Sequence, residues 1–323
     1  MPARLKHSVM LGEMGRIADR FHEYQPARTL REQLELASRV DGADGIEVVY
    51  PVAFGDAVQE SVRIIRDSGL PLSAVNLNVK AAKKWQAGSF TSTDPRMRAD
   101  AVADMKTAMD LAAELGTDMI TCCPLIDGHN YCFQADYLKQ WEWLEEGIGE
   151  AAAHRDDVRI SLEYKLNEAR TFCILADMGR TLYLCERLGH DHVGVTMDVG
   201  HALMAKETPA EVAALAHRGG RLFYVHFNDN GREWDWDMLP GSVNLWDLVE
   251  MVFHLDRMNW EGWISYDVMT RNGDPVEQMD VSIGNVKAAE RMLDRIGREE
   301  LEGFIEEGIP ARAYAHLFDT LLA

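Results

Sequence analysis

The sequence predicts an α/β protein, a (β/α)8 barrel carrying a helical extension at its C-terminus, and three observations lead there. Eight short apolar runs alternate along the chain with longer amphipathic ones. Such alternation implies parallel strands, because every crossover between parallel neighbours needs an intervening helix. The rival arrangement is an open doubly wound sheet, and its signatures are missing. No Gly-x-Gly-x-x-Gly follows the first run, and no Gly-x-x-x-x-Gly-Lys-Ser/Thr occurs anywhere.

Strands are expected at residues 7–12, 45–50, 72–79, 119–123, 159–165, 193–198, 222–226 and 263–268. Helices are expected at 27–40, 56–68, 95–115, 135–154, 172–188, 209–218, 243–258 and 275–296. Thr208-Pro209 and Asp274-Pro275 mark two helix starts, while Gly69 and Gly189 mark two helix ends. Eight such units close naturally into a barrel, so residues 1–298 are expected to form one domain. Residues 299–323 read as a single added helix. Its Leu317, Phe318, Leu321 and Leu322 make an apolar patch suited to a neighbouring subunit, and a homo-oligomer, dimer or tetramer, is expected.

Composition narrows the function. A net charge of −20 argues against nucleic acid or an anionic membrane surface as a partner. The start, "MPARLKHSVMLGEMG", carries no leader-like apolar region, and no later run has the length of a membrane span. The five cysteines, Cys122, Cys123, Cys132, Cys173 and Cys185, show no Cys-x-x-Cys pairing and read as reduced core thiols. A cytoplasmic location is expected.

A barrel concentrates its chemistry where the C-terminal ends of the strands converge. The fifth strand, "RISLEYK", ends in Glu163 and Lys165, and the sixth, "VGVTMDVGH", in Asp198 and His201. The seventh ends in His226, followed by a loop with Asp235 and Asp237, and the eighth, "WISYDV", carries Asp267. Singly, each has an ordinary explanation: a Glu163–Lys165 pair, a helix-capping Asp198 or Asp267, a satisfied core His201. Four successive strands ending this way are another matter. Converging carboxylates repel and take up protons unless a cation neutralises them. A set mixing carboxylate with imidazole suits Mn²⁺, Co²⁺, Zn²⁺ or Mg²⁺.

In order, strand position and spacing, these motifs resemble the xylose isomerase-like superfamily, most closely its L-rhamnose isomerase-like sugar isomerases. The stretches "DGHNYCFQADYLKQWEWLEEGI", "GVTMDVGHALMAKE" and "NGDPVEQM" carry the same resemblance, which spans roughly residues 40–296. The resemblance implies a first divalent cation held by Glu163, Asp198, His226 and Asp267. It implies a second near His201, Asp235 and Asp237, sharing Asp198, with Asp229 a competing carboxylate in the same loop. One or two cations per chain are therefore expected, Mn²⁺ foremost.

The implied reaction interconverts an aldose and a ketose by a metal-assisted hydride shift between C1 and C2 of a monosaccharide. Lys165, Glu163 and Asp235 are the candidate catalytic groups, Lys165 serving the substrate's carbonyl oxygen. The first alternative is a ketose 3-epimerase, in which two metal-bound glutamates work through an enediolate; here Asp267 stands in place of the second. A keto-sugar lyase or deglycosidase is the other. On the rim, Trp85, His129 and Trp234, with Phe133 and Trp236, are expected to face the sugar, and Asn76 and Asn78 to bond its hydroxyls. No histidine ends the first strand to open a pyranose ring; only Glu13 is there.

Overall fold

The computed structural model describes residues 5–322. Eight parallel strands close into a barrel: β1 (Lys6–Met10), β2 (Gly45–Tyr50), β3 (Leu72–Leu77), β4 (Met119–Cys122), β5 (Arg159–Glu163), β6 (Val193–Asp198), β7 (Leu222–Phe227) and β8 (Trp263–Tyr266). Each pairs with its neighbours in sequence, and β8 closes onto β1. Around them lie α1 (Leu30–Ala37), α2 (Val58–Asp67), α3 (Pro95–Leu115), α4 (Tyr137–Ala152), α5 (Met178–Leu188), α6 (Val199–Met204), α7 (Pro209–Arg218), α8 (Leu245–Arg257) and α9 (Pro275–Ile296). The termini obey local chemistry. Asp94, Asp136, Asp177 and Asp274 cap α3, α4, α5 and α9 by accepting from first-turn amides, and Pro95, Pro209 and Pro275 sit in first turns that need no N–H there.

Three expectations need correction. The helix expected over 172–188 begins only at Met178, because Thr171–Cys173 pairs antiparallel with Gly128–His129 and Asn167–Glu168 in a small sheet above the barrel. A short extra helix, α6, follows β6 directly. The C-terminal segment is two helices, α10 (Arg298–Glu307) and α11 (Pro310–Leu322), divided at Gly308, whose left-handed φ of 65° ends the first. Among the described residues no helix is long and apolar enough to cross a membrane.

Strand register decides which side chains meet. Thr121 pairs with Ser161, Glu163 with Thr196, Asp198 with His226, and His226 with Ser265. Paired residues on adjacent strands point the same way and alternate residues point oppositely. One set, Val75, Ile120, Leu162, Val195, Val225 and Ile264, is therefore turned outward, where it joins the helices in the main apolar core. The other set lines the lumen and is small or polar: Ser8, Glu47, Asn76, Thr121, Ser161, Glu163, Thr196, Asp198 and His226, all buried. The lumen thus rises from hydroxyls to acids and imidazoles at the C-terminal mouth.

Candidate metal centre

Glu163, Asp198 and His226 end β5, β6 and β7 on the inward face, and one donor atom of each lies within 4.8 Å of the other two. His226 Nδ1 stands 3.4 Å from Glu163 Oε1 and 3.8 Å from Asp198 Oδ2. Asp198 also caps α6, accepting from the His201 amide at 2.8 Å, while its other oxygen accepts from Asn228 Nδ2 at 3.0 Å. The close approach of β7's loop to α6 needs Gly200, since a Cβ there would meet Asn228 Oδ1 at 2.5 Å. That contact seats His201 above the trio, with Nδ1 3.1 Å from Glu163 Oε1 and Nε2 3.1 Å from Asp235 Oδ2.

The same Asp235 oxygen lies 2.8 Å from Lys165 Nζ, which also pairs with Glu168 at 2.5 Å. Lys165 is thus held by Glu168 and Asp235 rather than by Glu163. Asp237 follows with a left-handed φ of 46°, a strained setting for a residue with a side chain, and its carbonyl accepts from the Met269 amide just beyond Asp267. Asp235 and Asp237 do not join His201 in a converging trio of donor atoms among the described residues. Asp229 is no competitor: it accepts from the Val243 and Asn244 amides and from Asn244 Nδ2, stapling the loop that carries Asp235.

Sequence reasoning passed over several groups. Glu47, fully buried on β2, takes His226 Nε2 at 3.1 Å, Thr121 Oγ1 at 2.7 Å and Asn76 Nδ2 at 3.0 Å. The visible signal was a lone acid inside the apolar run "GIEVVY". Cys123 is buried beside Glu163 and His201. Burial works against the charge of Lys80, but Cys123, Glu163 and Asp267 outweigh it and raise the ammonium's pKa.

The rim is also corrected. Trp85 is 1% exposed and packed in the apolar core, so its ring offers no face to a ligand. His129 lies between Tyr137 and Phe172 and lines a separate cavity of about 520 Å³ with Trp143 and Arg170. Trp234 is half-buried next to Asp235, whereas Phe133 and Trp236 are exposed. Asn76 donates to Glu47, and Asn78 accepts from the Lys80 and Ala81 amides in a turn.

The charges in the mouth are frustrated as they stand. Burial above all, with Glu163 and Asp235 adding against the opposing His201, pushes the Asp198 carboxyl up to about 7. Burial and then Asp267 push Asp237 and Glu13 well above the usual carboxylate range, and burial likewise raises Asp267. Glu163 is held well below that range, because His226 and His201 overcome its burial. His201 Nδ1, His226 Nδ1 and Asp235 Oδ1 are buried without a well-formed hydrogen bond. Buried donors and acceptors are nearly always satisfied. Orphaned imidazole nitrogens facing the Glu163 and Asp198 carboxylates are the donor set a divalent cation would satisfy, so these residues fit one.

Comparison with known proteins agrees with the architecture. Residues 34–292 match the family described as xylose isomerase-like TIM barrel. The xylose isomerase of Thermus thermophilus is 29% identical over 226 residues, covering 66% of this chain and 58% of that protein. The chain thus matches little more than half the length of that relative. Among solved structures, 3-keto-D-glucoside 4-epimerase from E. coli superposes with a TM-score of 0.68 at 16% identity, covering 88% of this chain and 100% of the other. D-allulose 3-epimerase from Methylomonas sp. gives 0.69 at 17% identity, covering 89% and 99%. At such identities the likeness is one of fold. With the matched region embracing β2 through most of α9, the chain belongs to the xylose isomerase-like TIM barrel family.

Proposed function

We propose that this protein is an aldose–ketose isomerase that acts on a monosaccharide with a divalent cation. The observation that carries this reading is the buried trio of Glu163, Asp198 and His226, flanked by Lys165 at the same mouth. When bound, a divalent cation supplies Lewis-acid stabilisation of charge on the sugar's oxygens, worth several kcal/mol. Glu163, Asp198, His226 and Asp267 would hold one cation, and His201, Asp235, Asp237 and the shared Asp198 a second. Mn²⁺ is the first choice among Mn²⁺, Co²⁺, Zn²⁺ and Mg²⁺, all of which a donor set of carboxylate and imidazole accepts.

Lys165 is the residue that meets the reacting carbonyl. Lys165 is buried, and its ammonium, kept charged by Asp235 and Glu168 against that burial, donates to the substrate oxygen that carries developing negative charge. Asp235 and Glu168 aim that ammonium, and half-buried Trp234 beside Asp235 keeps water from the transfer. The isomerase is favoured over the 3-epimerase because β8 leads into Asp267 and not a glutamate. An aspartate reaches one methylene less far and is the poorer choice for removing a proton from C3. The order of the strand-end motifs favours the L-rhamnose isomerase-like branch. Exposed Phe318 and Leu322 on α11 support a homo-oligomer.

The test is a screen of pentoses, hexoses, deoxy-sugars and ketoses with chain stripped by chelation, then supplied with Mn²⁺ or Co²⁺, products being identified by NMR. Metal-restored aldose–ketose interconversion is expected. Full activity in metal-free protein would sink the reading, and a ketose product inverted at C3 would replace it with the epimerase.

A further inference from the structure

The alternation along β4 turns Cys122 outward into the apolar core and aims the next residue, Cys123, into the lumen. Cys123 is 2% exposed, and its Sγ, a carboxylate oxygen of Glu163 and a ring nitrogen of His201 lie within 4.8 Å of one another. The proposed isomerase chemistry uses the acid and the imidazole but leaves the sulfur unemployed. His201 supplies a second, independent observation. It is 4% exposed, and its Nε2 is bonded to Asp235, which leaves the buried Nδ1 facing Glu163 without a hydrogen bond. A carboxylate on one ring nitrogen is the arrangement that orients the other nitrogen toward a metal.

We propose that Cys123, Glu163 and His201 form a binding site for a thiophilic divalent cation of the Zn²⁺ or Cd²⁺ kind, overlapping the isomerase's own cation sites. Soft sulfur selects such ions over Mn²⁺ and Mg²⁺, which prefer oxygen. Zn–S bonds of about 2.3 Å and Zn–N or Zn–O bonds of about 2.0–2.1 Å let one ion bridge ligands roughly 3.5–4.4 Å apart, so the trio closes on it with shifts of about 1 Å or less. The thiol releases its proton to water as the ion binds.

The functional consequence rests on the proposed isomerase. Glu163 belongs there to the first cation and His201 to the second. An ion tied to Cys123 holds both ligands at once and excludes the productive pair. Zn²⁺ and Cd²⁺ are therefore inhibitors that compete with Mn²⁺, and Cys123 is the source of their advantage.

The experiment titrates the full-length chain with Cd²⁺, in a Cys132→Ser background because Cys132 is an exposed thiol. The thiolate-to-cadmium charge-transfer absorption in the ultraviolet should rise to one equivalent, vanish in Cys123→Ser and persist in Cys122→Ser. Should Cys123→Ser fail to fold by circular dichroism, ¹¹³Cd NMR of the background protein decides, since one sulfur ligand shifts the resonance strongly downfield of an all-oxygen and nitrogen site. In Mn²⁺-loaded enzyme, Cys123→Ser should need at least tenfold more Cd²⁺ for half-inhibition. No charge-transfer band, a band that survives in Cys123→Ser, or a resonance without sulfur character would overturn the site. The binding readouts need no turnover. A Cys123-dependent band in a chain without isomerase activity removes the proposed function alone, and a Mn²⁺-dependent isomerase without the band removes this site alone.

Discussion

Glu47 Oε2 lies 3.1 Å from His226 Nε2, which leaves Nδ1 as the nitrogen that faces Glu163 and Asp198. Burial alone would raise the Glu47 carboxyl, but His226 and the hydrogen bonds from Thr121 and Asn76 hold it below its usual value. A fixed anion on Nε2 sets the tautomer and orientation of the ring and makes Nδ1 a better ligand. Glu47→Gln keeps the shape and removes the charge. Metal affinity, read by titration with a competing chelator, should fall about 10- to 100-fold. An unchanged affinity would show that the Glu47 charge does not tune His226 as a ligand.

Asp198→Asn should be the most damaging single exchange for metal content. Asparagine still caps α6 by accepting from the His201 amide, so the helix and the fold should survive. The lost carboxylate is the one proposed to serve both cations. Elemental analysis should show at least one cation fewer per chain, with turnover down at least about a hundredfold. Two cations retained would refute the shared role.

Lys165→Met should separate chemistry from binding. Removing the ammonium leaves Glu163, Asp198 and His226 in place, so the cation content should persist while kcat falls more than KM rises. In D₂O the wild-type product should carry little deuterium at C1 or C2, because a hydride shift keeps the hydrogen from solvent. Deuterium at C1 or C2 would preserve the isomerase but replace its mechanism by proton transfer, with Glu163 as the candidate base.

Stability of the metal-free chain should fall as pH rises. The Asp198 carboxyl ionises near 4 in the unfolded chain and near 7 in the folded one. The folded state therefore holds the extra proton across that window, and stability declines as pH climbs through it. Burial, with Asp267 as the next cause at Asp237, gives Asp237 and Asp267 the same sign. His201 and His226 are raised by Asp198, Glu163 and Glu47 against their burial, so their contribution is complete below about 6.5 and is lost above it. Glu163 and Asp235 have the opposite sign, but their gain is complete above the ordinary carboxylate range. The Tm of stripped protein should thus drop between about pH 5 and 8. Added Mn²⁺ should raise Tm more at pH 8 than at pH 5, since binding displaces those protons. A Tm that rises over this interval without metal would contradict the assignment.

The sequence by itself determined the alternation of eight strands with helices, the proline-marked starts of α7 and α9, and the residue types at the ends of β5 to β8. These are local properties: periodicity, a proline in a first turn and a carboxylate after an apolar run need only a few neighbouring residues to be read. The tertiary structure alone decided the rest. Glu47 and His226 are 179 residues apart and meet only because the barrel closes. Closure also put Cys123 on the inner face, and packing of the segment after β3 buried Trp85. The division of labour between the two nitrogens of His201 depends on a loop drawn in by Asn228 against Gly200 and stapled by Asp229. Parity says which residues share a face, but the shear and closure of the barrel say which of them touch.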